Sequence, residues 1–432
     1  MKDNKGTSNL TINIIFIFSL MLFPLAFDYR TTDGASKGLI IFFSLISLLS
    51  GLFLIYKIRY IYSYSTSFII STLLFIFGSF FSSFMHGYDI YLIFSSEIPL
   101  LLFLLSFIVL SSIHLYKNNL NKIIMVIVSF MFLSVFFKFF FGFYYYNLTL
   151  STVRYEIISP LIILLFSYGL TSAIYSKKKW GTLSLVVAIS IAFLAVTRTY
   201  LLVFFIIGLF WILILPYKYW IKNIKFILKI ILLFLILFIS FYIIFPEMIE
   251  RWLIRLFTGV KEHGVDITYI TRIAESSYQI DKLFESFKNL LFGLGISGET
   301  GFSSEYRKIL SIVYADNFEF KGHGFGHNTY VGIIFTSGIV IGSIFIYSLL
   351  NNIIKAIKLS KIQYKMTVSN KVTDPYYKDY FFIMAWGTSS AMGYATYALL
   401  AGLFGDRLYS LAFGLSFGLI FLGRRFFVKS IK

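Results

Sequence analysis

Residues 123–143 read IIMVIVSFMFLSVFFKFFFGF, twenty-one positions carrying one charge, Lys138. At 1.5 Å per residue the run covers about 31 Å, which matches the hydrocarbon core of a bilayer. Comparable runs recur along the chain. Spans are expected near 10–27, 38–56, 67–85, 91–113, 123–143, 156–175, 182–196, 200–216, 226–245, 328–350, 382–402 and 408–423. The 432 residues are 58% apolar and 13% charged, whereas a soluble chain carries about a quarter charged residues. The expected fold is therefore an all-α polytopic membrane protein of about twelve transmembrane helices. Its expected organisation is spans one to nine over 1–245, a large outer loop over 246–326, and three further spans with a cytoplasmic C-terminus over 327–432. The first run, Leu10 to Phe27, is too long for the core of a cleavable signal and reads as a span. No cysteine is present, which excludes disulfides and thiolate-bound metal.

Lysine and arginine counts set the expected orientation. The N-terminal segment, every second connection and the C-terminal segment together hold twenty-two basic residues, among them Lys177 to Lys179 and six lysines from Lys355 to Lys378. The intervening short loops hold five, Arg30, Lys37, Arg154, Arg198 and Arg407. The lysine-rich side is expected to be cytoplasmic, with both termini on it. The net charge of +18 is then mostly this signal together with attraction to anionic membrane lipid. Its loops carry no nucleic-acid recognition motif, so no nucleic-acid partner is expected. Four of the five short outer-loop cations are arginines, whose planar fork suits phosphate or carboxylate oxygens. Arginines snorkelling at the interface would give the same pattern.

One connection, Pro246 to Gly326, is about 81 residues long and expected on the outer side. Met248, Trp252, Leu256 and Phe257 recur at helical spacing, which predicts an amphipathic helix on the membrane surface. A second helix is expected from Tyr269 to Leu291, with Arg272, Glu275, Asp281 and Glu285 as its polar residues. The run Gly293-Leu-Gly295-Ile-Ser-Gly298-Glu-Thr-Gly301 follows. It lacks the Gly-Lys-Ser/Thr of a phosphate-binding loop and reads as a flexible connection. An acidic and aromatic stretch (Tyr314, Asp316, Phe318, Glu319, Phe320) leads into Gly322-His323-Gly324-Phe325-Gly326-His327-Asn328. His323 and His327 lie four apart, but the glycines oppose a helix there and no third metal ligand is near, so no metal is assigned. His327 sits where the chain re-enters the membrane. An imidazole there suits acid–base work on a sugar hydroxyl, and equally the capping of the next helix beside Asn328. Glu97 beside Pro99 is an intramembrane carboxylate and so a functional candidate, with pairing to Lys138 of the fifth span as the alternative.

The stretch His327-Asn-Thr-Tyr-Val331 with Gly338 and Gly342 resembles the His-(Asn/Ser)-x-x-Leu-x6-Gly signature of the O-antigen ligase and Wzy-type O-antigen polymerase superfamily. Valine stands at 331 in place of the usual leucine. Thr197-Arg198-Thr199 is similar to that family's Ser-Arg-Thr hairpin, and Arg272 with Phe292-Gly-Leu-Gly295 is similar to its Arg…Gly-x-Gly loop. The resemblance covers about 182–350. It implies a GT-C-like bacterial inner-membrane glycosyltransferase whose large loop is periplasmic and whose donor is an undecaprenyl-pyrophosphate-linked oligosaccharide.

On this reading Arg272 and Arg198 stabilise the leaving pyrophosphate, with Arg154 and Arg407 as further candidates, and His327 is the base. His323, Asn328, Tyr330, Asp316 and Glu319 would contact sugar or acceptor, and Tyr314, Phe318, Phe320 and Phe325 would stack on it. Ordinary loop packing explains those aromatic residues equally well. With arginines carrying the charge, no metal or other cofactor is required. Asp28 and Asp33 are the closest substitute for a metal-binding Asp pair. The resemblance leaves room for a chain-length regulator as partner. The favoured activity is an O-antigen polymerase. A ligase that moves the glycan to lipid A-core is the first alternative, and a polysaccharide flippase or transporter the second. The absence of a two-fold repeat opposes the transporter.

Overall fold

A computed structural model describes residues 63–112, 120–145, 157–176, 180–214, 246–253, 267–306, 322–368 and 375–431, with Leu310 and scattered positions between 228 and 244. The spans expected at 10–27 and 38–56, and the candidates Arg154, Asp28, Asp33, Tyr314, Asp316, Phe318, Glu319 and Phe320, lie outside the described residues. The elements, in chain order, begin with α1 (Ser63–Met85), α2 (Ile90–Ser112), α3 (Leu120–Tyr145), α4 (Ile162–Thr171), α5 (Gly181–Leu194) and α6 (Arg198–Ile214). α4 runs on into a π turn, Ser172–Ser176. Between α6 and the last three helices lie α7 (Pro246–Leu253), α8 (Ile267–Phe284), α9 (Phe287–Phe292) and an antiparallel ribbon of β1 (Glu299–Thr300) and β2 (Gly322–His323). Last come α10 (Thr329–Val368), α11 (Pro375–Ala398) and α12 (Arg407–Ile431).

Four described helices are long and apolar enough to cross a membrane, over Thr66–Met85, Ile90–Ser111, Leu120–Phe140 and Thr329–Thr367. Ile162–Ile174, Gly181–Leu194 and Arg198–Ile212 are shorter apolar helices. The protein is an all-α membrane protein, its two-residue ribbon being the only strand pairing among the described residues.

Phenylalanines from four helices make the core. Phe68 of α1 meets Phe103 and Phe107 of α2 and Phe417 and Phe421 of α12. Further along α1, Phe75 lies flat against Phe345 of α10 at 4.4 Å, and Phe404 bridges Phe103 and Phe345. In lipid the apolar effect does not drive helices together, so small residues that allow close approach matter most. Gly414-x3-Gly418 of α12 supplies them. A Cβ at Gly414 would lie 2.2 Å from the Phe103 carbonyl oxygen and 2.1 Å from Ser106 Oγ. Ser106 also donates to the Leu411 carbonyl across this seam at 3.0 Å. Gly414→Leu is therefore expected to force α2 and α12 apart. Its cost should be at or above the roughly 3 kcal/mol upper end for overpacked cores, because the obstructing atom is backbone. The check is thermal unfolding in detergent, with Leu202→Ala on the exposed face of α6 as a control expected to be near neutral.

Two expectations about the elements are corrected, and a third gains a packing partner. The connection expected after residue 350 is helical as far as Val368, because neither glycine nor proline occurs between Gly342 and Pro375. Lys355, Lys358, Lys361 and Lys365 form its exposed stripe, opposite buried Ile353, Ala356, Ser360 and Gln363. The single helix expected over 269–291 is two. Ser286 breaks it and caps α9 by accepting from the Asn289 amide at 3.0 Å. The amphipathic helix α7 docks on protein: Trp252 is buried, stacks on Phe193 and donates Nε1–H to the Phe193 carbonyl at 3.0 Å.

Candidate functional site

The glycine-rich run, expected to be a flexible connection, is packed into the membrane bundle. α10 breaks sharply at Gly338, which adopts φ 77° and ψ 169°. In an unbroken helix the carbonyls of Phe335 and Thr336 would accept from residues 339 and 340. Instead Leu294 N–H donates to Phe335 O at 2.8 Å and Gly295 N–H to Thr336 O at 3.1 Å. Backbone groups freed at membrane depth must find protein partners, and the loop provides them. Its other side is held by α1, where Ser82 Oγ donates to the Gly293 carbonyl at 2.8 Å and Ser83 Oγ accepts from the Ser297 amide at 3.3 Å. The run is thus a staple between two membrane helices.

From that staple the ribbon leads to the strip His323 to His327. His323 Nδ1 donates to the Ser297 carbonyl at 3.2 Å, and Gly324 N–H to the Gly298 carbonyl at 2.8 Å. On one side of the strip stands α8: Gln279 Nε2 donates to the Gly324 carbonyl at 3.1 Å. One turn earlier Glu275 receives two hydrogen bonds on Oε2, from the His327 backbone N–H at 2.7 Å and from His327 Nδ1 at 2.6 Å. The Glu275 side chain is 3% exposed and the His327 ring 43% exposed. A carboxylate on Nδ1 selects the tautomer with the proton there, which leaves Nε2 with its lone pair on the exposed edge.

In the sequence Glu275 is only one of several polar residues of a helix in 269–291. Its spacing three after Arg272 puts both on one helical face, a signal available in the sequence but carrying no partner with it. Arg272 is half-buried on α8, its Nε without a hydrogen-bond partner among the described residues.

The other side of the strip faces a cavity of about 540 Å³. His323, Gly324 and Phe325 form one wall, Ser95, Ser96 and Pro99 of α2 another, and Lys138 of α3 a third. Tyr397, Phe404, Asp406, Arg407 and Tyr409 close it from α11, α12 and their connection. That connection is tied to the strip. Thr329 Oγ1 accepts from the Leu403 amide at 2.7 Å and donates to the Ala401 carbonyl at 2.8 Å. Asp406 Oδ1 caps α12 by accepting from the Leu408 and Tyr409 amides at 2.8 and 2.9 Å. The Tyr397 and Tyr409 rings stack with centroids 4.5 Å apart, and the Tyr200 and Tyr409 hydroxyls hydrogen-bond.

The remaining sequence candidates separate. His323 and Arg407 line the cavity, whereas Arg198 opens α6 and does not. Asn328, assigned to acceptor binding, is the cap of α10, its Oδ1 accepting from the Tyr330 and Val331 amides at 3.1 and 3.3 Å. The capping role considered for His327 therefore falls to its neighbour. Tyr330, assigned to sugar contact, donates its hydroxyl to the Ala395 carbonyl at 3.0 Å and packs against the core. Phe325 packs on Phe75 and Phe404 as well as lining the cavity.

The alternative pairing of Glu97 with Lys138 does not form. Glu97 is 3% exposed and accepts from Ser79 Oγ at 2.7 Å, with Oε2 unpartnered among the described residues, while Lys138 lines the cavity. Glu97→Gln keeps a carbonyl acceptor for Ser79 and is expected to unfold within a few degrees of wild type. Glu97→Lys would bury a cation in place of the carboxylate and should prevent accumulation of folded protein. Detergent-extracted yield and melting temperature check both.

Fold and site together define an all-α membrane protein with a carboxylate-paired histidine beside a cationic cavity at one end of the bundle. No protein-family model matches the chain, and no curated protein matches it in sequence.

Proposed function

We propose that this chain is a glycosyltransferase of the inner membrane that polymerises undecaprenyl-pyrophosphate-linked oligosaccharide repeat units at the outer face. The observation that carries the reading is the His327–Glu275 pair, 2.6 Å between Nδ1 and Oε2. The histidine singled out by the family-like signature is oriented by a carboxylate from the outer-loop helix, as a general base requires. Its Nε2 takes the proton of an acceptor sugar hydroxyl as that oxygen attacks the anomeric carbon of the donor glycan. The bond from that carbon to the pyrophosphate oxygen breaks, and its electron pair leaves on undecaprenyl pyrophosphate. In this reading about twelve spans put both termini in the cytoplasm and 246–326 in the periplasm, where the loop covers the reacting groups.

The test is surface-polysaccharide length in a strain that lacks its own copy of the gene. Complementation with the wild-type chain should restore a ladder of long chains, and His327→Ala should leave single repeat units on the core. A bare core with long chains accumulating on the carrier lipid would identify a ligase instead. Repeat units retained on the cytoplasmic face would point to a transporter. Full-length chains with His327→Ala would remove the histidine from the mechanism.

A further inference from the structure

Phe284 and Phe287 stand at the corner between α8 and α9 with 70% and 74% of their surfaces exposed, flanked by exposed Ile280 and Phe292. Single exposed apolar side chains are ordinary, but two nearly bare phenylalanine rings within four residues form a patch of the kind that marks a membrane or protein partner. Hydrogen bonds to α1 fix the level of this corner. Ser82 Oγ donates to the Gly293 carbonyl, His86 Nε2 meets Asn289 Oδ1 at 3.3 Å, and Lys288 Nζ donates to the Met85 carbonyl at 3.5 Å. Followed from Gly293 back to Lys288, these contacts run along α1 from Ser82 to its last residues. The corner therefore stands level with the end of α1, where the candidate span Thr66–Met85 ends. At its other end α9 reaches membrane depth, since the Leu291 carbonyl packs on Gly338, nine residues into the span that starts at Thr329. Phe287 is four residues from Leu291, about 6 Å along the helix. Along α1, exposed Ile70, Leu74, Phe77, Phe81 and Phe84 alternate at spacings of four and three, which puts them on one helical face. Within a span such an apolar face meets lipid, and it ends at Phe84, level with the corner.

We infer that the α8–α9 corner is a lipid-docking wedge. Phe284 and Phe287 seat between headgroups and acyl chains of the leaflet that surrounds the end of α1, and Lys282 and Lys288 lie at its phosphates. The occupant is bilayer phospholipid, and the charges around the rings favour it over a protein. Lys282, Glu285 and Lys288 are interleaved with the two phenylalanines, whereas the core of a protein interface is depleted of lysine and glutamate. At a bilayer surface the same mixture is favourable, because aromatic rings settle at headgroup level and lysine stems carry their amines out to phosphate. The patch is also continuous with the lipid-facing stripe of α1. The wedge has a consequence for the site. Glu275 lies nine residues before Phe284 on the same helix, so the bilayer sets the height at which α8 presents Glu275 to His327. The inference does not depend on the transferase reading.

The chain has no cysteine, so single-cysteine variants carry a nitroxide label at one chosen position. Phe284→Cys and Phe287→Cys are labelled in the full chain in phosphatidylcholine nanodiscs, and the depth of each label is read from its collisions with oxygen and with a water-soluble nickel chelate. Phe81→Cys on the lipid-facing stripe of α1 gives the bilayer reference, and Ser304→Cys, exposed beside Glu305, the aqueous one. All four positions are exposed, so the substitutions leave the packed core untouched. Labels at 284 and 287 are expected to read a depth of about 5–10 Å into the headgroup and acyl boundary, shallower than Phe81→Cys and shielded from nickel relative to Ser304→Cys. Nickel access equal to that of Ser304→Cys at either position would show a solvated corner and overturn the wedge. An immobile label that neither oxygen nor nickel reaches would show a protein, a second copy included, on this face, and that also overturns it. Because the readout is lipid contact and not glycan transfer, either failure leaves the His327 chemistry standing.

Discussion

Replacing His327 with alanine is expected to lower the rate of glycan transfer by about 10²–10⁴-fold, the range general acid–base catalysis contributes. Donor binding should stay near wild type, since the ring acts on the acceptor hydroxyl. Glu275→Gln should lose up to about 10⁴-fold, because an amide on Nδ1 no longer selects one tautomer. Glu275→Ala should be worse for another reason. The His327 backbone N–H donates to Glu275 Oε2 at 2.7 Å, and truncation would leave that donor without its partner, a cost of about 1–3 kcal/mol. The measurement is single-turnover transfer with purified protein and a lipid-linked donor, read alongside donor affinity. A rate within threefold of wild type for His327→Ala would remove the base assignment. A fall in donor affinity at unchanged single-turnover rate would make His327 a binding residue instead.

Gly338→Ala is expected to lower thermal stability and activity together, although it adds one methyl group well away from His327 along α10. Two costs combine. The φ of 77° with ψ of 169° is a conformation that only glycine adopts without strain, of order 1–3 kcal/mol for another residue. A Cβ there would also lie 2.0 Å from the Leu291 carbonyl oxygen, so the glycine-rich staple must back away. Doing so breaks the bonds from Leu294 and Gly295 to the Phe335 and Thr336 carbonyls, each worth about 1 kcal/mol and more where no water can replace it. The total is roughly 3–5 kcal/mol, and the ribbon that carries His323 loses its anchor. Melting temperature in detergent and transfer rate read the two effects. By contrast Gly208→Ala, where a Cβ meets nothing within 4 Å, should be neutral or slightly stabilising.

Much of the architecture was legible because membrane insertion is decided locally. Expected spans at 67–85, 91–113 and 123–143 match α1, α2 and α3 to within a few residues at each end. A stretch of apolar side chains must leave water whatever its neighbours are, so hydropathy reports it without knowledge of the fold. Where local pattern ran short, the expectations needed correction. The glycines at 293–301 carry no side chain to show that they would be buried, and Lys355 to Lys365 looked like a loop although their spacing follows a helix.

The candidate site depends on distance along the chain. His327 and Arg407 could be named from their place in the sequence, but the partner of His327 lies 52 residues away. Lys138 shares a cavity with residues more than 180 positions later. No periodicity or motif joins such residues, because their proximity is created only when α8 packs on the strip and α3 on the bundle. Sequence alone determined a helical membrane protein, since burial in lipid is imposed residue by residue. Tertiary structure decided which carboxylate orients the histidine, which carbonyls hold the glycine staple and which cations face one cavity. Each is a pairwise contact between helices, set by how glycines and phenylalanines let those helices approach.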